Sequence, residues 1–343
     1  MTNSIFPKTR YQGSKYKLRE WIKEELNKLQ FNSCLDAFSG TSSIAYLLKD
    51  MGKIVYTNDV LNFNYYIAKA LIENNNEKIT QEEINTILIK KEDLIYDNFI
   101  ERTFEDIYFL TEENKWLDIV IQNIYEIENE YKKAMFLWAI YQATLSKRPY
   151  NLFHRKNLNL RTSEVKRNFG NKTTWDKPFE EHFKKFINEI NNAIFNNNQK
   201  NKAFNLDVFD LDIKVDLVYI DPPYIPQKGS LTYYRDFYHF LEGITDYNNW
   251  FQNIDYKSKN KKLLSKYNIW EDKVNINKAF KDLIYKFKDS KIIISYREDG
   301  TPSIEEISKI LKDIGKVVEI KTMDYKYALS KKQNIKEVLI IAT

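Results

Sequence analysis

The stretch DLVYIDPPYIPQ, Asp216 to Gln227, carries an apolar strand directly into an acid, two prolines and a tyrosine. Proline removes a ladder donor and fixes φ, so the strand must stop there. A plain turn would be satisfied by Gly, Asn or Asp. A carboxylate followed by a locked backbone and an aromatic ring is instead a corner that holds groups still.

The segments around it set the fold. CLDAFSGT (34–41) reads as a short strand entering a glycine turn, and SSIAYLLKDMG (42–52) as the helix that follows. KIVYTNDV (53–60) and LNFNYYIAKALIEN (61–74) repeat the unit. KIIISYRE (291–298), SIEEISKILKDIG (303–315) and EVLIIAT (337–343) resume the style late in the chain. Successive strand–helix units predict a parallel sheet with crossover helices. Ahead of them, Leu18, Trp21, Ile22, Leu26 and Leu29 recur at helical spacing. The expectation is an α/β chain: residues 1–75 and 203–343 form one Rossmann-like sheet domain, and 76–202 are a mostly helical insertion. Residues 229–283, rich in Tyr, Asp and Lys, resist assignment.

Composition narrows the function. Of 343 residues, 43% are hydrophobic and 29% charged, the range of a globular protein. No apolar run approaches the length of a membrane span, and the N-terminal stretch lacks a secretory core. One cysteine, Cys34, rules out a disulfide framework, and His154, His182 and His239 lack metal-ligand spacing. A cytoplasmic, metal-independent protein is expected. Between Lys147 and Arg167 stand seven basic residues (Lys147, Arg148, Arg155, Lys156, Arg161, Lys166, Arg167) and one acid, Glu164. Interleaved Tyr, Phe and Asn suit this segment to phosphate and base contacts.

Asp36 ends the first strand and is followed by Phe38 and Gly40; Asp59 ends the second strand, nineteen residues after Gly40. That edge of a doubly wound sheet binds nucleosides, and an acid at this spacing accepts ribose hydroxyls. Ser42 occupies the second glycine position of the dinucleotide fingerprint. The turn therefore fits a nucleoside cofactor without phosphate, such as S-adenosylmethionine.

With those residues in place, Asp221-Pro222-Pro223-Tyr224 resembles the catalytic motif of the DNA amino-methyltransferases of the adenine-N6 branch. The chain as a whole is similar to the D12 class (Dam-like), in which the N-terminal motif and cofactor motif precede the catalytic motif. The resemblance implies that Asp221 and the Pro222 carbonyl accept the two N–H bonds of the target amine, with Pro223 fixing the corner. Tyr224 would stack on a base flipped from the duplex. It makes TRYQGSKYKL (9–18) the motif that closes over the cofactor, with Tyr11 and Lys15 in contact. DAFSGT and Asp59 become the binding site for the donor, and Asp207 and Val208 border its adenine, with Asp210 a rival. The insertion becomes the target-recognition region for double-stranded DNA, and 229–283 a lid or further DNA-contacting segment in which Tyr238 and His239 either close over the base or pack as a cap. A monomer accompanied by a cognate restriction endonuclease is expected. Cytosine-C5 chemistry needs a nucleophilic cysteine after a proline, and Cys34 is misplaced for it. Cytosine-N4 and protein-glutamine enzymes carry Ser or Asn where Asp221 stands. An RNA adenine methyltransferase and an inactive DNA-binding subunit remain open.

Overall fold

A computed structural model of the chain describes residues 5–7, 9–163, 172–227, 231, 233–325 and 335–343. Seven strands form one sheet: β1 Ser33–Asp36, β2 Ile54–Asn58, β3 Lys202–Phe204, β4 Leu217–Ile220, β5 Lys291–Arg297, β6 Val318–Tyr325 and β7 Ile335–Ala342. They lie in the order β3-β2-β1-β4-β5-β7-β6, parallel except for β7, which runs antiparallel to both neighbours. This is a Rossmann-like, mostly parallel sheet, as the strand–helix units predict. The short β3 and the charged, half-exposed edge strand β6 escape the apolar-run criterion.

Alternation along the strands fills both faces. Cys34, Leu217, Tyr219, Ile293 and Leu339 enter one buried cluster, whereas Leu35, Val218, Ile220, Ile292, Ile294 and Val338 enter the other. Helices α1 (Arg19–Leu26), α2 (Ser43–Asp50) and α3 (Asn62–Ala68) contribute to the first. The strand buried on both sides explains why each reads as a continuous apolar run.

Residues 76–202 are mostly helical among those described, with α4 (Thr111–Tyr125), α5 (Glu130–Ser146) and α6 (Phe179–Ala193) as the long members. Asn129 caps α5, accepting from the N–H groups of Tyr131 and Lys132. From Ala134 to Ser146 every residue of α5 is buried, so this helix is a core element wrapped on all sides. The rings of Phe136 and Trp138 pack on Phe183 and Phe186 of α6, with centroids 5.9 and 6.0 Å apart. One apolar cluster runs from Phe6 through α5 and α6 to Ile341. The insertion therefore shares its core with one face of the sheet and fixes what stands beside the sheet edge. No helix of the described residues is long and apolar enough to cross a membrane.

Further along, α7 (His239–Thr245) lies against Trp250, which is 1% exposed. A Cβ on Gly243 would stand 1.8 Å from Trp250 Cε2. Gly243→Ala must displace a fully buried ring, and overpacking of this kind costs about 1–3 kcal/mol. Urea titration should show a lowered midpoint with an unchanged slope; an unchanged midpoint would mean that the helix and the ring are not in contact.

Candidate active site

Acids gather at one edge of the sheet because four parallel strands end there. β1 ends on Asp36, and Asp59, Asp207 and Asp221 closely follow β2, β3 and β4. The register pairs Asp36 with Tyr219, so Asp221, two residues on, is in phase with it. A cavity of about 540 Å³ opens at this edge. Tyr11, Lys15, Asp36, Phe38, Gly40, Asp59, Asp207 and Val208 line it, together with Asp221, Pro222, Pro223 and Tyr224. Asp207 thus reaches the cavity that its rival Asp210 does not line.

On one side of the cavity the groups suit a nucleoside. Asp36 Oδ2 accepts from the Ala45 N–H at 3.2 Å, in the first turn of α2, where the helix dipole favours an anion. Its Oδ1 is buried without a hydrogen-bond partner among the described residues. Burial, together with Asp221, pushes the Asp36 carboxyl up to about 8. Asp59 is held by the N–H groups of Leu61 and Gly40, both at 2.9 Å, and by Asn64 Nδ2 at 3.1 Å. Burial raises its pKa while those hydrogen bonds oppose the rise. Gly40 has φ +48°, and Ser42 takes φ 60°, a left-handed conformation that costs a non-glycine residue roughly 1–2 kcal/mol. The apolar slot beside Val208 is aromatic after all: Trp270 packs edge-on to Phe38 at 4.8 Å and stacks with Phe209 at 6.1 Å. Phe209 follows Val208 directly, and Trp270 comes from the 229–283 segment that resisted assignment.

On the other side stands the rigid corner. Lys15 Nζ lies 2.9 Å from Asp221 Oδ1 and 3.4 Å from Glu337 Oε1. Glu337 is fully buried and also accepts from Ser295 Oγ at 2.6 Å. It reaches this edge because β7 is antiparallel: the residues near its start lie where the parallel strands end. Glu337 pairs with Arg297 of β5, and no sequence signal near it marks a functional residue. Burial pushes the Asp221 carboxyl up to about 6, with Lys15 opposing and Glu337 adding to the rise. Burial would lower the Lys15 ammonium, but Asp221 and Glu337 outweigh it and raise it well above the usual value. The Tyr224 ring carries the Arg297 guanidinium 5.0 Å from its centroid, and Asp299 holds Arg297 through two bonds of 2.8 and 2.9 Å.

The N-terminal motif is clasped by the segment after the corner. Tyr11 stacks on Tyr234 and Tyr238, at 5.8 and 4.6 Å, and the Gln12 N–H donates to Tyr238 Oη at 2.7 Å. Gly13, at φ +85°, leaves space that a Cβ could not take, since it would meet Tyr234 Oη at 2.5 Å.

The basic segment requires a correction. Lys147, Arg148 and Arg161, expected on DNA, point into the protein and are 1%, 1% and 8% exposed. Lys147 bonds Glu113 at 2.7 Å, and Arg161 grips both oxygens of Glu113 at 2.8 and 2.7 Å. Arg148 donates to the carbonyls of Leu152, Lys156 and Arg155 and lies 4.5 Å from the Tyr108 ring centroid. Charge counting cannot distinguish a cation aimed at solvent from one caged by carbonyls. Arg155 and Lys156 are exposed, as expected for DNA contacts, and Lys166 and Arg167 lie outside the described residues. His239 is buried, 2.7 Å from Tyr108 Oη, and burial pulls its pKa down to about 3, so it packs rather than closing over a ligand.

The description of D12 class N6 adenine-specific DNA methyltransferase fits residues 11–299. The chain is 32% identical to the Type II methyltransferase M2.HphI of Haemophilus parahaemolyticus, over 97% of this chain and 96% of that protein. It is 31% identical to the modification methylase StsI of Streptococcus sanguinis and 28% identical to the Type II methyltransferase M.FokI of Planomicrobium okeanokoites. In both of those, 96% of this chain matches 51% of the relative.

The crowding of carboxylates has a measurable cost. The Asp36 pKa is raised in the fold to about 8, against about 3.9 in an unfolded chain. The stability tied to its neutral form is therefore present at low pH and lost as pH rises from about 4 to 8. Asp36→Asn keeps the Ala45 bond and removes the charge. The ligand-free variant should melt several degrees above the wild type at pH 8, with the gap closing towards pH 4. A lower melting temperature at pH 8 would refute the reading.

Proposed function

The chain belongs to the D12 class of N6 adenine-specific DNA methyltransferases, and on that premise we propose how its cavity works. The observation that carries the reading is the meeting of Asp221, Pro222 and Tyr224 with Asp36 and Asp59 in one cavity. The donor that fits is S-adenosylmethionine. Asp59 suits its ribose hydroxyls, the unpartnered Asp36 Oδ1 suits its ammonium, and the slot of Phe38, Val208, Phe209 and Trp270 suits its adenine. Asp207 stands at the rim of that slot. When bound, this donor supplies an electrophilic methyl group on a sulfonium.

The acceptor amine is weakly nucleophilic because its lone pair is delocalised into the adenine ring. Asp221 and the Pro222 carbonyl accept its two N–H bonds, localise the lone pair and aim it. Two prolines keep the acceptors from relaxing, so that their electrostatic work is done before the base arrives. Lys15 occupies one oxygen of Asp221 in the free protein. Glu337 offers the ammonium a second partner, so Lys15 can lean away as the amine enters without stranding a buried charge. After transfer the nitrogen sheds a proton along its bond to Asp221, whose burial-raised pKa suits it to accept. Tyr224, backed by Arg297, stacks on the flipped adenine.

Residues 76–202 act in target recognition, with Arg155 and Lys156 on phosphates of double-stranded DNA. We further propose a monomer acting in the cytoplasm, alongside a cognate restriction endonuclease, as the Type II names of the relatives suggest.

Two measurements test this. The purified chain should transfer labelled methyl from S-adenosylmethionine to duplex DNA. Asp221→Ala should lower transfer at least about 10³-fold while calorimetry shows the donor still bound. Transfer to RNA in place of duplex DNA, or no donor binding by the wild type, would defeat the assignment. The second is a pH profile. Transfer requires ionised Asp221 and should fall as pH drops through about 6. Lys15, Glu337, Asp36, Tyr219, Tyr224 and Tyr234 all face this carboxylate. Glu337→Gln removes one negative neighbour and frees Lys15 for Asp221, so the acid limb should move about half to one unit lower. An unmoved limb would reduce Glu337 to a packing role.

A further inference from the structure

The segment from Tyr256 to Tyr267, YKSKNKKLLSKY, holds five lysines and no acid. It forms a tight loop: Ile254 bridges Leu263 antiparallel, and the Asp255 N–H donates to the Lys262 carbonyl at 2.8 Å. Lys262 is spent on Asp236 at 2.7 Å, and Lys261 caps the Tyr256 carbonyl at 2.8 Å. Lys257, Lys259 and Lys266 are exposed and have no carboxylate partner among the described residues. Two rings stand out beside them, Tyr256 at 53% and Tyr267 at 74% exposure. The loop ends at the cavity, since Lys266 and Tyr267 are part of its lining.

A buried hub ties this loop to the other exposed basic stretch. Tyr108 Oη lies 2.7 Å from the Phe153 carbonyl, 2.8 Å from the Asn260 carbonyl and 2.7 Å from His239 Nε2. Asn260 Nδ2 donates to the Phe153 carbonyl at 3.1 Å. Above the Tyr108 ring, Arg148 binds the carbonyls of Leu152, Arg155 and Lys156, so the side chains of Arg155 and Lys156 are turned outward. Arg148 thus holds the 152–156 loop, and Tyr108 joins it to the loop around Asn260.

We propose that Lys257, Lys259 and Lys266 form, with Arg155 and Lys156, a two-part surface that binds the duplex DNA backbone and leads it to the cavity mouth, the Tyr108 hub fixing the spacing of its parts. The proposal rests on the reading that the substrate is duplex DNA. Exposed lysines without carboxylate partners suit phosphates, and the exposed ring of Tyr267 at the cavity rim suits a strand distorted by an extruded base.

The test uses the full chain, a mixed-sequence 30-base-pair duplex, and anisotropy titrations across a range of potassium chloride. Replacing Lys257, Lys259 and Lys266 together by alanine should reduce the slope of log affinity against log salt by about 2–3, the release expected for three phosphate contacts. For the Lys257→Ala/Lys259→Ala double variant, whose residues lie outside the cavity lining, calorimetry should give an unchanged affinity for S-adenosylmethionine. Tyr108→Phe keeps the ring under Arg148 and deletes the hydroxyl. It should weaken binding about three- to tenfold with the slope intact, because it loosens spacing without removing charge. A triple variant that keeps the wild-type slope overturns the surface, and a Tyr108→Phe variant with wild-type affinity overturns the hub. A wild type with no salt-dependent binding to duplex DNA overturns the underlying reading, and the proposal with it.

Discussion

One ammonium between two carboxylates organises the site. Lys15 lies within 2.9 Å of Asp221 and 3.4 Å of Glu337; Glu337 is fully buried, Lys15 nearly so, and Asp221 is 17% exposed at the cavity. Removing two carboxylates from solvent is costly, and a single cation compensates only part of that cost. The residual strain appears as raised carboxyl pKa values at Asp221 and at Asp36 nearby. A site of this kind exists only where the surroundings are rigid enough to impose it. Here the parallel register of β1, β2 and β4, the prolines after Asp221 and the caged N-terminal motif supply that rigidity.

The packing explains how the rigidity is obtained without a second domain behind the sheet. α5 is buried on all sides, and its cluster is continuous with the face of the sheet that carries α2 and α3. The insertion that carries target recognition in our reading is thereby bonded to the catalytic edge through apolar contact, with no linker able to flex between them. The Tyr108 hub continues the same arrangement outward, joining residues 152–156 to the loop around Asn260. The hub also holds His239 of α7, beside Tyr238, whose ring stacks on Tyr11.

Much of this was legible in the sequence because the relevant signals are local. Runs such as LVYI and IIIS must be buried strands, and acids at their ends must face the sheet edge, so Asp36, Asp59 and Asp221 are legible from residue order, whereas Asp207, after the short β3, comes only from the family resemblance. What escaped depends on tertiary context. Glu337 becomes a site residue only because β7 is antiparallel, and a strand's direction leaves no mark on its composition. Arg148, Lys147 and Arg161 look like surface cations until Glu113 and three carbonyls are placed around them. Trp270 and Phe209 supply the aromatic wall that Val208 lacks, from positions fixed by packing.

The antiparallel last strand has a consequence in time as well as space. Lys15 and Asp221 are both synthesised before Glu337. Until β7 inserts between β5 and β6, the ammonium has only Asp221 to bind, and β6 has no neighbour in the sheet. The corner is thus completed only once β7 has entered the sheet: a chain bearing the DPPY corner without a docked β7 lacks the second anion towards which Lys15 can move.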